Sequence, residues 1–388
     1  MENVRQNLMA SSSAHRQIEV SLIIPTYNER ENIGVVLQQV YAVLQETGRA
    51  FEVIVVDDNS PDGTWEVVQG MMREYPHLRV LRRMQERGLA RAVLSGWREA
   101  RGELLAVMDG DLQHPPETLP RLIDAMEKQG GDIAVASRHV QGGGVSEWNI
   151  VRRGISWGAT LAATWMLPGT LAIVRDPMSG YFALRRSVIE GCTLQPEGYK
   201  ILLEVLGRGH YRAVVEVPYI FIERQQGHSK LGPRQYREFL AHLMRLAWET
   251  GELRRFVKYC VVGATGIGVN MGVLALCTAA GMTYLRAGAL AVETSIGTNF
   301  LLNEYWSFTD VSRRHGGIIP RLGRFLQFNI FCAGGIAISL LTLWFCTGYL
   351  GVHYLLSNLL GMTMATAWNY GMNANITWES ARAERKQL

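Results

Sequence analysis

The sequence predicts an α/β domain built on a mostly parallel sheet, followed by an α-helical membrane domain. Three observations carry this. Short apolar runs alternate with amphipathic helical stretches from Val20 to about Ile222. Each run ends in a cluster of turn-forming or charged residues, the sharpest being Asp109-Gly110-Asp111. Beyond Lys258 the charges almost vanish: none lies between Lys258 and Arg286, nor between Arg324 and Glu379.

Taken in order, Val20–Ile24 is a buried strand closed by Pro25. Pro25-Thr-Tyr-Asn-Glu29 turns into an amphipathic helix over about 30–46. Phe51–Val56 is the second strand, ending in Asp57-Asp-Asn-Ser-Pro-Asp-Gly-Thr64, and a helix over 65–74 follows. Arg79–Arg82 is a third strand, and Arg87–Ala92 opens the next helix. Leu104–Met108 is the fourth strand; Pro115 and Pro116 stop it, and a helix starts at Glu117. Asp132–Arg138 is a further strand, Gln141–Gly144 a loop able to cover a substrate, and Arg175–Phe182 a turn and strand. Val214–Val217 and Ile220–Ile222 form a strand pair. In a parallel sheet these polar strand ends share one edge, where ligands bind.

Residues i and i+2 of an extended segment point the same way. Asp109, Asp111 and Gln113 therefore present three oxygens to one hard cation, Mg²⁺ or Mn²⁺, which accepts such ligands together with substrate phosphates. The competing reading is a pair of solvated acids in a loop. Tyr27 can stack on a base, and Glu29 and Asp58 can accept from base or ribose groups. Against that, Pro25, Gly63 and Gly88 can simply end elements, and Asp57 or Asp62 can cap a helix. Arg152 and Ser156, one turn apart, suit a phosphate clamp. With Trp148, Trp157, Leu161 and Trp165 beside them, they equally suit a basic interfacial helix. Asp176 either orients a sugar or caps a turn, and Lys200 and Glu204, at i and i+4, read as a surface pair.

Pro25–Glu29, Val56–Thr64 and Met108–Glu117, in that order, closely resemble the signatures of dolichol-phosphate mannose synthases over about residues 18–232. These are family-two inverting glycosyltransferases with the GT-A fold. The resemblance implies that Pro25, Tyr27, Glu29, Val56 and Asp58 line the nucleotide pocket, with Asp109, Gly110 and Asp111. It implies that Asp109, Asp111 and Gln113 hold the metal. It further implies that Arg138, Arg152 and Ser156 meet the lipid phosphate. Arg224-Gln-Gln-Gly-His-Ser-Lys230 matches the family's Arg-x-x-Gly-x-Ser-Lys pattern, so that Arg224 and Lys230 meet the diphosphate opposite the metal. A disordered basic linker is the alternative there. Two departures stand out: Gly110 where the family commonly has Ala, expected to loosen the metal loop, and Ala90 where it often has Gly.

After this catalytic region, 233–253 reads as interfacial and amphipathic, with Tyr236, Phe239, Leu240, Leu243, Met244 and Ala247 in one stripe. Four spans are expected near 256–280, 286–308, 325–349 and 354–376, within a membrane domain over 254–380. Basic residues flank the first span, the connection between the second and third, and the last; by the positive-inside rule both ends and the catalytic region are cytoplasmic. Phe256-Val-Lys-Tyr259 with Gly266 echoes Phe325-Leu-Gln-Phe328 with Gly335, and Asn299–Asn303 echoes Asn369–Asn373. The spans thus form two related hairpins, with the Asn pairs expected to bond between helices. Glu293 lies deeper without an evident partner. This half resembles a GtrA-like membrane domain, a family linked to polyprenyl-phosphate sugars. Residues 1–17 are expected to be a mobile tail with no secretory signal, and 381–388 a cytoplasmic one.

The net charge of +4 and the absence of interleaved aromatic and basic residues argue for a membrane surface over nucleic acid. The five cysteines show no metal-ligand spacing and read as buried apolar side chains. The expected reaction, implied by the resemblance, is transfer of mannose from GDP-mannose to a dolichyl-type polyprenyl phosphate. The rivals are glucose or an aminosugar from a UDP-sugar onto undecaprenyl phosphate, and a transporter or scaffold that only binds nucleotide-sugar.

Overall fold

A computed structural model describes residues 18–85, 87–146, 174–195, 200–222, 233–313 and 317–378, with scattered positions between 154 and 171. It divides into two units, one containing residues up to Leu161 and Ile173–Leu246, the other Ala162–Ala172 and Ala247–Leu388.

In the first unit the elements run β1 (Val20–Thr26), α1 (Arg30–Glu46), β2 (Phe51–Asp57), α2 (Thr64–Met71), β3 (Leu78–Arg82), α3 (Leu89–Glu99), β4 (Leu104–Val107), α4 (Thr118–Gln129), β5 (Ile133–Ser137) and β6 (Gly144–Val145). Then come β7 (Phe182–Arg185), α5 (Ile201–Arg208), β8 (Val214–Pro218), β9 (Ile220–Phe221) and α6 (Pro233–Glu249). A seven-stranded sheet has the order β3-β2-β1-β4-β7-β5-β8. All neighbours are parallel except β7, which runs antiparallel to both β4 and β5. The expected mostly parallel sheet is therefore found, with one reversed strand at its middle.

The two faces of β1 are covered separately, as the period of two requires. Val20, Leu22 and Ile24 join a core with Ile33, Leu37 and Tyr41 of α1 and Leu122 and Met126 of α4. The opposite face meets α3 closely: a Cβ at Gly96 would stand 2.7 Å from Ile23 Cγ2 and 3.1 Å from Val56 Cγ2. Buried on both faces, β4 is continuously apolar and β1 nearly so, its buried Ser21 donating to Glu52 Oε1 at 2.7 Å.

Three expectations are corrected here. Gln141–Gly144 is no open loop at its end, because Gly144–Val145 pairs in parallel with Ile220–Phe221 as a separate two-stranded sheet. The single apolar stripe of α6 divides: Phe239, Leu243 and Leu246 are buried, whereas Leu240, Met244 and Trp248 are exposed. The stripe is wide enough to serve two surroundings, one face packing on α5, where a Cβ at Gly207 would stand 2.8 Å from Leu246 Cδ1. Lys200 and Glu204 are not a surface pair: Glu204 is fully buried and bonded to His242 of α6.

The second unit holds α7 (Glu252–Ala279), α8 (Tyr284–Leu302), α9 (Ile318–Gly348) and α10 (Tyr354–Met372). Of the four expected spans, α7 and α9, with 28 and 31 residues, are long and apolar enough to cross a membrane. The 19-residue α8 and α10, about 29 Å long, are near the length of a span, but polar residues dilute their apolar character. Both end in a wide π-helical turn, closed by Phe308 N–H to Asn303 C=O and Trp378 N–H to Asn373 C=O, each 2.8 Å. The sequence repeat is thus a structural repeat: Asn299 lies against Gly266 and Asn369 against Gly335, where no Cβ would fit. Phe308 and Trp378, equivalent in the two copies, stack at 4.4 Å. Of the asparagines expected to bond between helices, Asn373 does so, its Nδ2 donating to Tyr259 Oη at 3.3 Å. Glu293 is exposed.

Candidate active site

The loops after β1, β2 and β4 lie side by side because their strands are sheet neighbours. Pro25 is paired in register with Val56, and Thr26 with Asp57. Asp57 ties the first two loops, accepting from Thr26 Oγ1 at 3.0 Å, Ser60 Oγ at 2.6 Å and the Ser60 amide at 2.8 Å. The Asn28 amide donates to Ser60 Oγ at 2.9 Å and the Glu29 amide to Thr64 Oγ1 at 3.0 Å. Asp62 Oδ1 accepts from the Thr64 amide at 2.9 Å, capping α2.

Asn28, Asn59 and Leu112 all have positive φ, at 54°, 53° and 61°. That is a strained region for a residue with a Cβ, and each sits in a different one of these three loops. Such strain gathers where the surroundings hold a backbone for function. The sequence does not place it at Leu112, since Leu itself does not favour left-handed backbone.

Tyr27, Glu29 and Asp58, three of the candidate nucleotide residues, are at this edge. Tyr27 carries the Arg87 guanidinium 5.0 Å over its ring and 3.2 Å from its hydroxyl. Glu29 Oε2 accepts from Asn32 Nδ2 at 2.8 Å. Asp58 accepts from Arg83 Nη1 and the Gly88 amide, both at 2.7 Å. Burial pushes the Asp58 carboxyl up, against the pull of the Gly88 amide and Arg83. Gly110 sits close to β1: a Cβ there would stand 3.1 Å from Thr26 Cγ2 and 3.2 Å from Ile24 Cγ2.

Asp109 Oδ2 lies 3.2 Å from His114 Nε2. The His114 ring stacks on Tyr219 at 5.7 Å and meets the rings of Tyr181 at 5.1 Å and Phe221 at 5.4 Å. Asp111 Oδ1 accepts from the Gln113 amide at 3.2 Å, and Gln113 Nε2 donates to Ile222 C=O at 3.2 Å. That bond assigns the carboxamide nitrogen to Ile222. Gly180 leaves room beside Asp109, for a Cβ there would stand 3.0 Å from Oδ2. Two carboxylates and a carboxamide are hard oxygen donors of the kind Mg²⁺ and Mn²⁺ take, short of a complete cage, as suits a cation shared with phosphates. Among the described residues no three His, Cys, Asp or Glu side chains gather into a metal cage.

Arg138, at the end of β5, is gripped by Asp176: Nε to Oδ2 at 2.7 Å and Nη2 to Oδ1 at 2.7 Å, with the Arg138 amide on Oδ2 at 3.0 Å. Asp176 is fully buried. Burial alone would raise its carboxyl, yet the Arg138 bonds hold it below the ordinary carboxylate range. Glu216 steadies the pair by accepting from the Arg175 and Asp176 amides at 3.0 and 3.1 Å. The sequence allows Asp176 to be a sugar contact or a turn cap. Here it orients Arg138.

Lys200, partly buried, donates to Met178 C=O at 2.5 Å. Burial first, then the Arg138 charge, lowers its ammonium to about 8, against Asp109 and Asp176. Its i, i+4 spacing to Glu204 points to the surface, and no local signal marks it as part of this site. Arg152, Ser156, Arg224 and Lys230 lie outside the described residues.

Residues 21–193 match the model of glycosyl transferase family 2. Residues 258–378 match that of the GtrA/DPMS transmembrane domain. A dolichol-phosphate mannosyltransferase of Pyrococcus furiosus is 44% identical over 361 residues, covering 93% of this chain and 99% of that one. The chain belongs to the dolichol-phosphate mannosyltransferase family. The Saccharomyces cerevisiae dolichol-phosphate mannosyltransferase is 37% identical over 239 residues, 59% of this chain and 87% of that relative. In three dimensions, glucosyl-3-phosphoglycerate synthase from Mycobacterium tuberculosis is similar at a TM-score of 0.45 and 17% identity, over 63% of this chain and 82% of that one. Within the mannosyltransferase family this chain is a polyprenyl-phosphate glycosyltransferase with a GT-A domain and a helical membrane domain, and its substrates are a nucleotide-sugar and a polyprenyl phosphate.

Proposed function

We propose that the chain transfers mannose from GDP-mannose to a dolichyl-type polyprenyl phosphate, with inversion at the anomeric carbon. The observation that carries this reading is the 44% identity to a dolichol-phosphate mannosyltransferase over almost the whole of both chains, membrane domain included. The convergence of the three strand-end loops supports a nucleotide-sugar seat at the sheet edge.

In this reading Pro25, Tyr27, Glu29, Val56 and Asp58 line the nucleotide pocket, with Arg224 and Lys230 on the diphosphate. Asp109, Asp111 and Gln113 hold Mg²⁺ or Mn²⁺. When bound, the cation supplies electrostatic and Lewis-acid stabilisation of the departing diphosphate. The acceptor phosphate has a second pKa of about 6 and is already anionic near neutral pH, so the chain need not provide a strong base. Arg138, oriented by Asp176, meets that phosphate together with Arg152 and Ser156 and aims it along the line of attack. His114 steadies Asp109, and the aromatic rings around it keep water from its buried side.

The catalytic region over 18–232 faces the cytoplasm, 233–253 lies along the bilayer surface, and four spans over 254–380 make the protein multi-pass. The exposed Leu240, Met244 and Trp248 of α6 support that surface placement.

The test is a transfer assay in detergent with labelled nucleotide-sugars, a short polyprenyl phosphate and Mg²⁺ or Mn²⁺. Label from GDP-mannose in the lipid phase, lost with a chelator and restored by either cation, is expected. Asp111→Ala should abolish turnover while membrane insertion stays intact. Label from a UDP-sugar alone would overturn the mannosyl reading, and near-normal turnover in Asp111→Ala would overturn the metal assignment.

A further inference from the structure

The donor and acceptor ends of the candidate site are joined by one short turn. Asp176, at its start, grips Arg138 through two side-chain bonds of 2.7 Å. Gly180, at its end, lies against the Asp109 carboxylate so closely that a Cβ would stand 3.0 Å from Oδ2. Between them Met178 presents its carbonyl to Lys200 Nζ at 2.5 Å. Ser179 tightens the same turn, its hydroxyl lying 3.2 Å from both the Tyr181 carbonyl and amide. The charges of Arg138, Asp109 and Asp176, the groups at the two ends, all act on Lys200.

We propose that Lys200 is a positioning residue for glycosyl transfer: by holding the Met178 carbonyl it fixes the Asp176–Gly180 turn and so sets the separation between Asp109 on the donor side and Arg138 on the acceptor side. This rests on the reading of Asp109 as a metal ligand and Arg138 as an acceptor contact. In-line displacement depends on the distance between attacking and leaving groups more than on how tightly either is held. Neither Asp109 nor Arg138 is lost when the turn is freed, so each substrate still finds its own seat. What is lost is their spacing. The residues that follow Lys200 in α5, Ile201, Leu202 and Leu203, are apolar and buried.

The experiment uses the full chain in detergent with Mn²⁺, polyprenyl phosphate and whichever donor the wild type uses. Lys200→Met should lower kcat on the order of 100-fold, the cost of a misplacement of about 1 Å. The KM values for donor and acceptor should each stay within about threefold, the pattern of an interaction needed only in the transition state. Lys200→Arg, which keeps a cation able to reach the carbonyl, should recover about tenfold of the loss. Nucleotide binding by Lys200→Met, read as a thermal shift with the nucleoside diphosphate and Mn²⁺, should match the wild type and shows that the variant is folded. An unchanged kcat would overturn the proposal. So would a rise in donor KM alone, which would make Lys200 a diphosphate contact, or a common loss of turnover, binding and melting temperature in both variants, which would make it merely structural. A wild type that transfers no sugar from any donor would instead overturn the function reading, and the inference with it.

Discussion

Glu204 shows how a single residue is misjudged from spacing and corrected by surroundings. Its Oε2 lies 2.8 Å from His242 Nε2, and its Oε1 accepts the Gln195 amide at 2.8 Å and lies 2.6 Å from Arg208 Nε. Burial raises the carboxyl, but the His242 bond, the Gln195 amide and Arg208 outweigh it, leaving the group below its ordinary value of 4.5. A carboxylate lowered on folding stabilises the native state above its unfolded pKa. That contribution is lost as pH falls through the folded value. The wild type should therefore lose thermal stability below pH 4.5 by more than Glu204→Gln does, relative to each protein's own value at pH 7. Parallel acid profiles for the two proteins would refute this. The Asp176 carboxylate adds to the same acid-side loss, since Arg138 holds it low as well.

Elements are placed by small residues as much as by large ones. Helix α3 reaches the sheet through Gly96, whose missing side chain lets Ile23 and Val56 approach. Gly96→Ala should cost roughly 1–3 kcal/mol through overpacking, read as a lower thermal midpoint of the full chain, and an unchanged midpoint would show that α3 can shift. The strand–helix alternation was legible in the sequence because each period is local, and β2 ends at Asp57 as read; but β1 runs on through Pro25 to Thr26, and β4 stops at Val107, well before Pro115. The reversal of β7 was not legible, since strand direction depends on where a chain re-enters the sheet rather than on its side chains. The left-handed backbone at Leu112 was equally hidden, since Leu has no local preference for it.

On the scale of the whole molecule, the catalytic unit and the helical unit each have their own interior, and the second is locked by charge. Glu304 is fully buried among Arg324, with Nε at 3.0 Å, and Trp378, whose Nε1 donates at 2.8 Å. Arg321 Nε lies 3.4 Å away. The repeat explains the place of this lock: Ala374 stands where Glu304 would recur, so only one copy carries the acid. Arg324→Leu strands that carboxylate and should cost about 3–5 kcal/mol. The double variant Glu304→Leu/Arg324→Leu should regain much of it, as a swap of the pair for apolar groups usually does. Thermal denaturation in detergent separates the outcomes, and equal melting of all three proteins would exclude the lock.

The sequence by itself determined the class of each half, the repeat, the strand-end clusters and the family, because apolar periodicity, charge depletion and motif order are properties of neighbours along the chain. Tertiary structure decided which of those clusters act together. It brought Asp176 from a distant turn onto Arg138, set Lys200 beneath Met178, and turned Glu204 inward to His242. These partners are 38, 22 and 38 residues apart, and no local rule links side chains at such separations. Only the closing of β7 between β4 and β5, and the packing of α6 on α5, makes them neighbours.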